Sequence, residues 1–254
     1  MTWQPVDCHA HSTFSDGQLT VAQVVERAKA LGVRPSISDH ITRAGAYGLS
    51  DLGDIRRYLD ALDGFDVLRA GEFCWDDDMW RELPPDIVQR FTHRLGSMHA
   101  VRMPNGKFVG AFARQLPPGI VVEEYMEAHA ACVEVLAREM PVDVFAHPTL
   151  IALPFRGLDV DVLWTDERET RIVDALFDAG IAFEISNRYW PHERFVKRAV
   201  DRGVRISLGS DGHTLEQVAN IARPLELARK LGVADADLYD PVRHGSRTLP
   251  RLAR

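Results

Sequence analysis

The chain has 254 residues, of which 46% are hydrophobic and 26% charged, and its formal net charge is −7. This composition is typical of a globular protein with one large domain or two small ones, and it excludes a disordered chain. Because no apolar run approaches the roughly 20 residues that span a bilayer and the polar start lacks a signal segment, we expect a cytoplasmic protein without a membrane partner. The negative charge disfavours long nucleic acid as a partner, whereas a local basic pocket for an oligonucleotide is compatible with it.

Short β-rich runs alternate with helical runs along the chain. The predicted strands are 5–8, 34–38, 65–71, 94–98, 142–146, 181–186 and 204–210. Apolar residues three to four apart, often followed by glycine, predict helices between them; the clearest are 20–32, 121–139, 167–180 and 192–203. Since parallel strands need crossover connections, we predict an α/β fold with seven strands closed into a TIM-like barrel. We expect a single domain over residues 1–254, with a long loop insertion at about 102–119 over one barrel face.

Two histidines lie one residue apart where the first predicted strand ends. Side chains alternate across a strand, so His9 and His11 point in the same direction. Two imidazoles directed at one point suit a metal ion. Taken alone, the pair fits ordinary surface or core histidines equally well.

Residue types that bind metals recur at nearly every predicted strand end. In chain order they are His9, His11, Asp16, His40, Glu72, His99, His147, Glu184, Asn187, Asp211 and His213. In barrels with this alternation the carboxyl ends of the strands carry the active site. The six histidines with Asp16, Glu72 and Asp211 are too many ligands for one tetrahedral ion and enough for two or three divalent ions. Glu72 and Asp211 are the natural bridging carboxylates and catalytic candidates, positioning a metal-activated hydroxide, so the predicted reaction is hydrolysis.

The motifs HAHSTFSDG, SDHI, GEF, LGSMH, AHP, FEISN and GSDGH, in this order, resemble the PHP (polymerase and histidinol phosphatase) family. The resemblance runs from about residue 6 to about residue 220, and it implies a distorted seven-stranded barrel with a two- or three-metal site. It implies three ligand sets: His9, His11, Glu72 and Asp211; Glu72, His99 and His147; Asp16, His40 and His213. Gly212 is a small departure, since alanine is usual there, and we expect it to leave ligation undisturbed.

Phosphate recognition calls for arginine, whose planar fork matches phosphate oxygens in pairs. Arg43, Arg156 and Arg188 follow ligand-bearing strand ends, and all three are candidates for substrate binding. The resemblance favours Arg156 and Arg188, because arginines in such loops of family phosphatases contact the substrate phosphate. Mixed nitrogen and oxygen ligands suit zinc, manganese and iron alike.

The function predicted from these features is a metal-dependent phosphomonoesterase of the histidinol phosphatase type, acting on a small phosphorylated substrate. One alternative is a nucleotide phosphoesterase or 3′-end exonuclease, because the C-terminal half also resembles the barrel domain of bacterial family X DNA polymerases. A second is an amidohydrolase-like esterase or lactonase, which uses similar metal clusters. A third is a non-catalytic metal-binding module, which the complete ligand set disfavours. The oligomeric state has no signal in the sequence.

Other titratable residues receive smaller roles. His93 is expected to be structural, because it lies near the opposite end of the barrel from His99. His129 is expected on a solvated helix face. Asp39 and Glu184 are expected to hydrogen-bond around the ligands rather than bind metal.

Overall fold

A computed structural model describes residues 3–44 and 47–246 of the chain. The strands are β1 Ser36–Ile37, β2 His40–Ile41, β3 Leu68–Arg69, β4 Glu72–Cys74, β5 Leu95–Ser97, β6 Ala100–Arg102, β7 Phe108–Gly110, β8 Val144–Phe145, β9 Ala182–Ser186 and β10 Ile206–Gly209. The helices are α1 Val21–Ala30, α2 Leu52–Leu62, α3 Met79–Glu82, α4 Pro85–Val88, α5 Val122–Glu139, α6 Val160–Leu163, α7 Asp166–Ala179, α8 Glu193–Arg202, α9 Ala222–Lys230 and α10 Pro241–His244, with a 3-10 helix at Leu153–Phe155.

The main sheet has six strands in the order β10-β9-β8-β5-β4-β2, and every neighbouring pair is parallel. β1 and β3 form a separate parallel pair, in which β1 directly precedes β2 and β3 directly precedes β4 along the chain. Helices connect most of these strands, as parallel crossovers require. The predicted α/β fold with a parallel sheet is therefore confirmed. No helix of the described residues has the length and apolar character needed to cross a membrane.

The first predicted strand, 5–8, is not part of a sheet ladder. Isolated parallel bridges join Val6 to Arg34 and Ala10 to Gly212 instead. Side chains take the backbone amides that a regular ladder would use, since His9 N donates to Asp7 Oδ1 and Ala10 N donates to Ser38 Oγ. The seven-stranded barrel is thus seen only in part, as a six-stranded sheet with a bridged segment beside it.

The helices begin and end where the sequence signals lie. Thr20 and Gln23 form a reciprocal capping box at the start of α1. α7 and α8 end at Gly180 and Gly203, whose φ angles of 69° and 88° are left-handed, as the glycine pattern predicts. These helices bury their apolar faces against the sheet, so the strand ends stay available for the site.

The segment 102–119 contains more structure than the predicted loop. Its first part completes an antiparallel hairpin, in which Ala100 pairs with Gly110 and Arg102 with Phe108. The apolar residues Val101 and Val109 are both buried, which anchors the hairpin to the body of the protein.

The prediction that His129 lies on a solvated face is wrong. His129 is fully buried in α5, and its ring centre lies 5.4 Å from that of Trp164. The glutamates of α5 that suggested a solvated helix pair with α7, where Glu127 accepts hydrogen bonds from Arg168 and Arg171. The charged residues of α5 face α7 rather than solvent, so they do not indicate that the other faces of α5 are exposed.

Candidate metal centre

All nine predicted metal ligands lie together at the carboxyl end of the parallel strands. Their ligand atoms form four groups, each within 4.8 Å: His9, His11 and Asp211; His9, Glu72 and His147; His40, Glu72 and His99; His11, Asp16, His40 and His213. The groups share members, so they describe one continuous cluster rather than separate sites. The grouping also places His11 beside the third predicted set, which the sequence did not indicate.

The imidazoles of His9 and His11, the first histidine pair, converge as strand alternation predicts. His9 Nε2 and His11 Nε2 lie 3.1 Å apart. Asp211 Oδ1 lies 3.4 Å from His11 Nε2 and 3.9 Å from His9 Nε2. Glu72 Oε2 lies 3.6 Å and 3.7 Å from the same two nitrogens. Four ligand atoms from three chain segments thus surround one point, an arrangement that suits a cation.

Glu72 lies at the centre of the cluster and is almost fully buried. Its Oε1 lies 2.8 Å from His147 Nε2 and 3.3 Å from His99 Nε2. Its Oε2 lies 2.8 Å from His40 Nδ1 and faces the first histidine pair. Burial opposes ionisation, but the surrounding histidines lower the pKa of Glu72 well below its ordinary value. An ionised carboxylate with one oxygen toward each ligand group has the shape that bridging two cations requires.

Asp16 forms the outer edge of the cluster, and its side chain is 39% exposed. Its Oδ1 lies 3.2 Å from His213 Nε2 and 3.5 Å from His40 Nε2. Partial burial opposes ionisation, but His213 and His40 lower the pKa of Asp16 below its ordinary value. The predicted third set is therefore close in space, and it lies nearest to solvent.

The donor atoms of the cluster fit divalent cations. His11 Nδ1 is buried and has no hydrogen-bond partner among residues 3–44 and 47–246. His40 Nδ1 and Glu72 Oε2 are also buried, and although they lie 2.8 Å apart they do not form a hydrogen bond with each other or with another described residue. Burial and the neighbouring His40 lower the pKa of His11 to about 3, so its ring is neutral and keeps a lone pair for a metal. Unpaired buried polar atoms are costly in a folded protein, and bound cations would satisfy them.

Glu184 contacts two of the candidate ligands, His9 and His147, and fixes their positions. His9 Nδ1 lies 2.8 Å from Glu184 Oε1, and His147 N donates to Glu184 Oε2 at 2.6 Å. When Nδ1–H of His9 donates to Glu184, the Nε2 lone pair points into the cluster. His147 and Asp211 both have left-handed backbones, with φ of 34° and 49°, a strain that often accompanies functional sites. The structure thus places Glu184 beside a candidate ligand rather than among the ligands.

Two other buried aspartates hold the loops that carry ligands. Asp39 accepts hydrogen bonds from the backbone and hydroxyl groups of both Ser12 and Ser15, which fixes the loop before Asp16. Asp7 accepts from Ser210 N, Ser210 Oγ and Ala219 N, which fixes the loop that carries Asp211. Burial raises the pKa of Asp7 to about 6. Sequence reasoning missed Asp7, although its position two residues before His9 gives it the same strand parity.

Position 212 of this chain has no room for the alanine that is usual in the family. A Cβ atom at this position would lie 2.5 Å from the Cα atom of Val218. Gly212→Ala is therefore expected to lower the free energy of unfolding by about 1–3 kcal/mol, because overpacking displaces the backbone between two ligands. Denaturant unfolding measures the change. Gly157→Ala is the matched control, since no atom of the described residues, its two chain neighbours aside, lies within 4 Å of a Cβ there. Equal stabilities of the two variants would contradict the prediction.

The three candidate arginines lie in different surroundings. Arg188 lines the pocket above the cluster, and its Nη1 donates to His213 Nδ1 and lies 3.9 Å from Asp211 Oδ1. Arg43 forms a two-pronged ion pair with Glu82 on the surface. Arg156 donates instead to the backbone oxygens of Ile151 and Ala111. The structure therefore brings Arg188 alone among the three to the pocket lining.

A cavity of about 260 Å³ opens above the ligands. Its lining residues are Asp16, His40, Tyr47, Glu72, His99, Phe112, His147, Arg188, Tyr189, Asp211 and His213. Beneath it, Cys74 Sγ lies 3.1 Å from His99 Nδ1, so the thiol orients a candidate ligand. The sequence offered a signal for Cys74, which lies two residues after Glu72 and shares its strand parity.

Comparisons with known proteins agree with this fold. No family model matches the chain. A probable phosphatase of Acetivibrio thermocellus is 24% identical over 89% of this chain and 86% of its own length. The DNA polymerase/3′-5′ exonuclease PolX of Bacillus subtilis is 22% identical over 88% of this chain, which spans only 37% of that polymerase.

The fold is shared with a solved enzyme. The histidinol phosphate phosphatase of Lactococcus lactis subsp. lactis, solved with zinc, L-histidinol and phosphate, matches with a TM-score of 0.69 over 92% of this chain and 95% of its own, at 16% identity. The fold and the cluster place the chain among the α/β proteins whose histidines and carboxylates lie together at the ends of parallel strands. Together with the named relatives, they confirm the resemblance to the PHP family.

Proposed function

We propose that the chain is a metal-dependent phosphoesterase that hydrolyses small phosphate monoesters with two or three divalent ions, of zinc, manganese or iron. The observation that carries the proposal is the cluster of nine ligands beneath a cavity of about 260 Å³, with Arg188 in its lining. The cavity suits a small ligand. The names of the phosphatase relatives and the shared fold with a zinc-containing histidinol phosphate phosphatase support it.

The side chains of the pocket would have different roles in hydrolysis. Divalent ions held by the cluster would lower the pKa of coordinated water and offset phosphate charge. Asp211 and Glu72 are ionised, since nearby histidines outweigh burial and lower the pKa of each. Both would orient the attacking water by accepting its hydrogens. Arg188 would hold two phosphate oxygens with its fork. The water oxygen bonds to phosphorus as the ester bond breaks, which gives inorganic phosphate and an alcohol.

Further parts of the proposal concern architecture and location. We infer that residues 5–11 act as the seventh strand of a barrel of one domain, since Cys8 N donates to Leu208 O and Ser38 N donates to Ala10 O. These bonds lie on opposite sides of the segment, as barrel closure requires. A cytoplasmic location stays a prediction from the sequence.

The proposal is tested with a panel of phosphate monoesters, phosphate diesters and acyl esters, assayed with protein of known metal content. We expect monoesters to be hydrolysed fastest, with loss of the activity after chelation and recovery after addition of zinc, manganese or iron. Hydrolysis of acyl esters or lactones with none of phosphates would overturn the proposal. So would purified protein that binds no stoichiometric metal.

Arg188 gives a specific prediction for this panel. Arg188→Ala is expected to lower kcat/KM for monoesters by about 10- to 100-fold, because hydrogen bonds to a charged phosphate are lost. Arg43→Ala is the control, since its guanidinium binds Glu82 on the surface, and its kcat/KM is expected to stay within about twofold. Equal losses in the two variants would contradict the assignment of Arg188.

A second candidate is 3′–5′ exonuclease activity, which the match to the polymerase and exonuclease favours. The net charge of −7 and the small cavity disfavour a long strand as substrate. Release of mononucleotides from a labelled single strand, faster than hydrolysis of any monoester in the panel, would favour the exonuclease over the monoesterase.

A further inference from the structure

The outer group of the cluster lies on its solvent side and consists of His11, Asp16, His40 and His213. Among the described residues, Asp16 and His213 belong to this group alone, whereas His11 and His40 are shared with other groups. Asp16 is the exposed member, and it lies on the loop between His11 and α1 rather than on a strand. Gln18 N donates to His213 O at 2.8 Å, which joins the end of this loop to His213. The distance from Asp16 to His40 therefore depends on what holds the residues before Asp16.

The carboxylate of Asp39 holds those residues. Its Oδ1 accepts hydrogen bonds from Ser12 N at 2.8 Å, from Ser15 N at 3.2 Å and from Ser15 Oγ at 2.5 Å, and its Oδ2 accepts one from Ser12 Oγ at 2.6 Å. Four donors use the acceptor positions that a carboxylate offers. Asp39 accordingly belongs to no ligand group of the described residues, and its side chain binds the loop of Asp16 instead.

Asp39 is anchored in the sheet beside a second member of the outer group. It is fully buried and directly precedes His40, the first residue of β2. Asp39 O accepts a hydrogen bond from Glu72 N at 3.1 Å, and Asp39 N donates to Tyr58 Oη at 3.4 Å. The backbone of Asp39 is thus joined to the strand of His40, while its side chain is joined to the loop of Asp16.

The inner groups of the cluster are the other three, which contain His9, Glu72, His99, His147 and Asp211 besides the shared His11 and His40. Different bonds fix the two segments that carry His9 and Asp211. Asp211 N donates to His9 O at 2.8 Å, and His11 N donates to Gly212 O at 2.9 Å. The side chain of Asp39 takes no part in these backbone bonds, so its removal is expected to disturb the outer group and leave the inner groups in place.

We propose that Asp39 is a positioning residue that determines whether the cluster retains an outer cation, because it holds Asp16 beside His40. Asp16 Oδ1 lies 3.5 Å from His40 Nε2 and 3.2 Å from His213 Nε2. Two ligands of one tetrahedral ion, each about 2.1 Å from it, lie about 3.4 Å apart. The inference rests on the metal binding of the proposed function, and it adds the residue that sets whether two or three ions stay bound.

The test uses the full chain loaded with an NMR-active cadmium isotope, because ions with different ligands give separate signals. Asp16→Asn identifies the outer ion as the signal that it removes, since Asp16 belongs to that group alone. Asp39→Ala removes all four acceptors, and it should lower the affinity for the same ion by about 100-fold while the other signals persist. Asp39→Asn keeps a carbonyl oxygen for the donors at Oδ1, so it should lower that affinity by only about tenfold.

Asp143→Ala is the matched control. Asp143 is also buried, and its Oδ2 accepts hydrogen bonds from Arg94 N at 2.8 Å and from Ser246 Oγ at 3.1 Å, outside every ligand group of the described residues. Its variant should be less stable and keep every cadmium signal at the affinity of the parent protein.

A milder pair of variants covers the case in which Asp39→Ala does not fold. Ser12→Ala removes the bond to Asp39 Oδ2 and should weaken binding of the outer ion by about tenfold. Thr13→Ala should change that affinity by less than about twofold, because Thr13 is exposed in the same loop and forms none of the four bonds to Asp39.

An outer ion that binds Asp39→Ala and Ser12→Ala as tightly as the parent protein would overturn the role of Asp39. Equal weakening of all the signals would do the same, since general destabilisation predicts it. If Asp16→Asn removes no signal, the outer group binds no ion and the inference fails. Cadmium binding needs no substrate, so selective loss of the outer ion in a protein that hydrolyses no phosphate ester would support Asp39 and refute the phosphoesterase.

Discussion

Glu72→Gln is expected to abolish the metal-dependent activity, with a fall in kcat/KM of about a thousandfold or more. Glu72 Oε1 faces His99 and His147, and Oε2 faces His40 and the first histidine pair. An amide at this position removes the charge that offsets the cations and places a donor against ring nitrogens. We also expect at least one metal per chain to be lost, measured by elemental analysis after dialysis.

Glu169→Gln serves as the control for this prediction. Glu169 is equally buried, but it lies on α7 and accepts hydrogen bonds from Arg194 and Arg198, outside every ligand group. Its variant is expected to be less stable while keeping the metal content of the parent protein. A Glu72→Gln protein with full metal content and full activity would remove Glu72 from the site.

His129→Leu is expected to flatten the dependence of stability on pH in the acid range. Burial lowers the pKa of His129 to about 4, from an ordinary value of 6.5. The unfolded chain therefore binds a proton that the folded protein does not accept until the pH is much lower. The contribution to stability is complete above pH 6.5 and falls by about 3 kcal/mol as the pH decreases to about 4, and the variant lacks this loss.

The measurement is denaturant unfolding between pH 4 and 7.5 with a chelator present, so that release of metal does not contribute. His129→Gln is a second uncharged variant with different packing. Both variants should lose the same pH-dependent part of the stability, whatever their stability at pH 7.5. Variants that keep the full acid slope of the parent protein would show that His129 is not the titrating group.

The residues at the strand ends could be predicted because strand alternation and the parallel connections between strands determine where their side chains lie. Strand alternation places His9 and His11 on one side, and their Nε2 atoms lie 3.1 Å apart. The parallel connections bring residues as distant as His40 and His213 to the same end of the sheet. What alternation cannot supply is the division of the ligands into sets, because His11 faces both Asp211 and Asp16.

The loop residues could not be predicted in the same way, because local partners decide where a long side chain goes. Arg156 follows a ligand-bearing strand, as Arg188 does, yet two backbone carbonyls bind its guanidinium, which does not line the pocket. Arg43 binds Glu82, thirty-nine residues away in the sequence. The Gly212 backbone approaches Val218, and this close contact also depends on tertiary structure.

The hydrogen bonds between Asp7 and Ser210 join residues 203 positions apart in the chain. Closing so long a loop costs entropy before any contact repays it, and topologies of this kind fold slowly. A nascent chain that has exposed His9 and His11 still lacks Asp211 and His213, since they lie beyond the last strand of the sheet. The ligand cluster therefore forms only after the last strand of the sheet has been synthesised, and any cation that needs the complete cluster binds after that point.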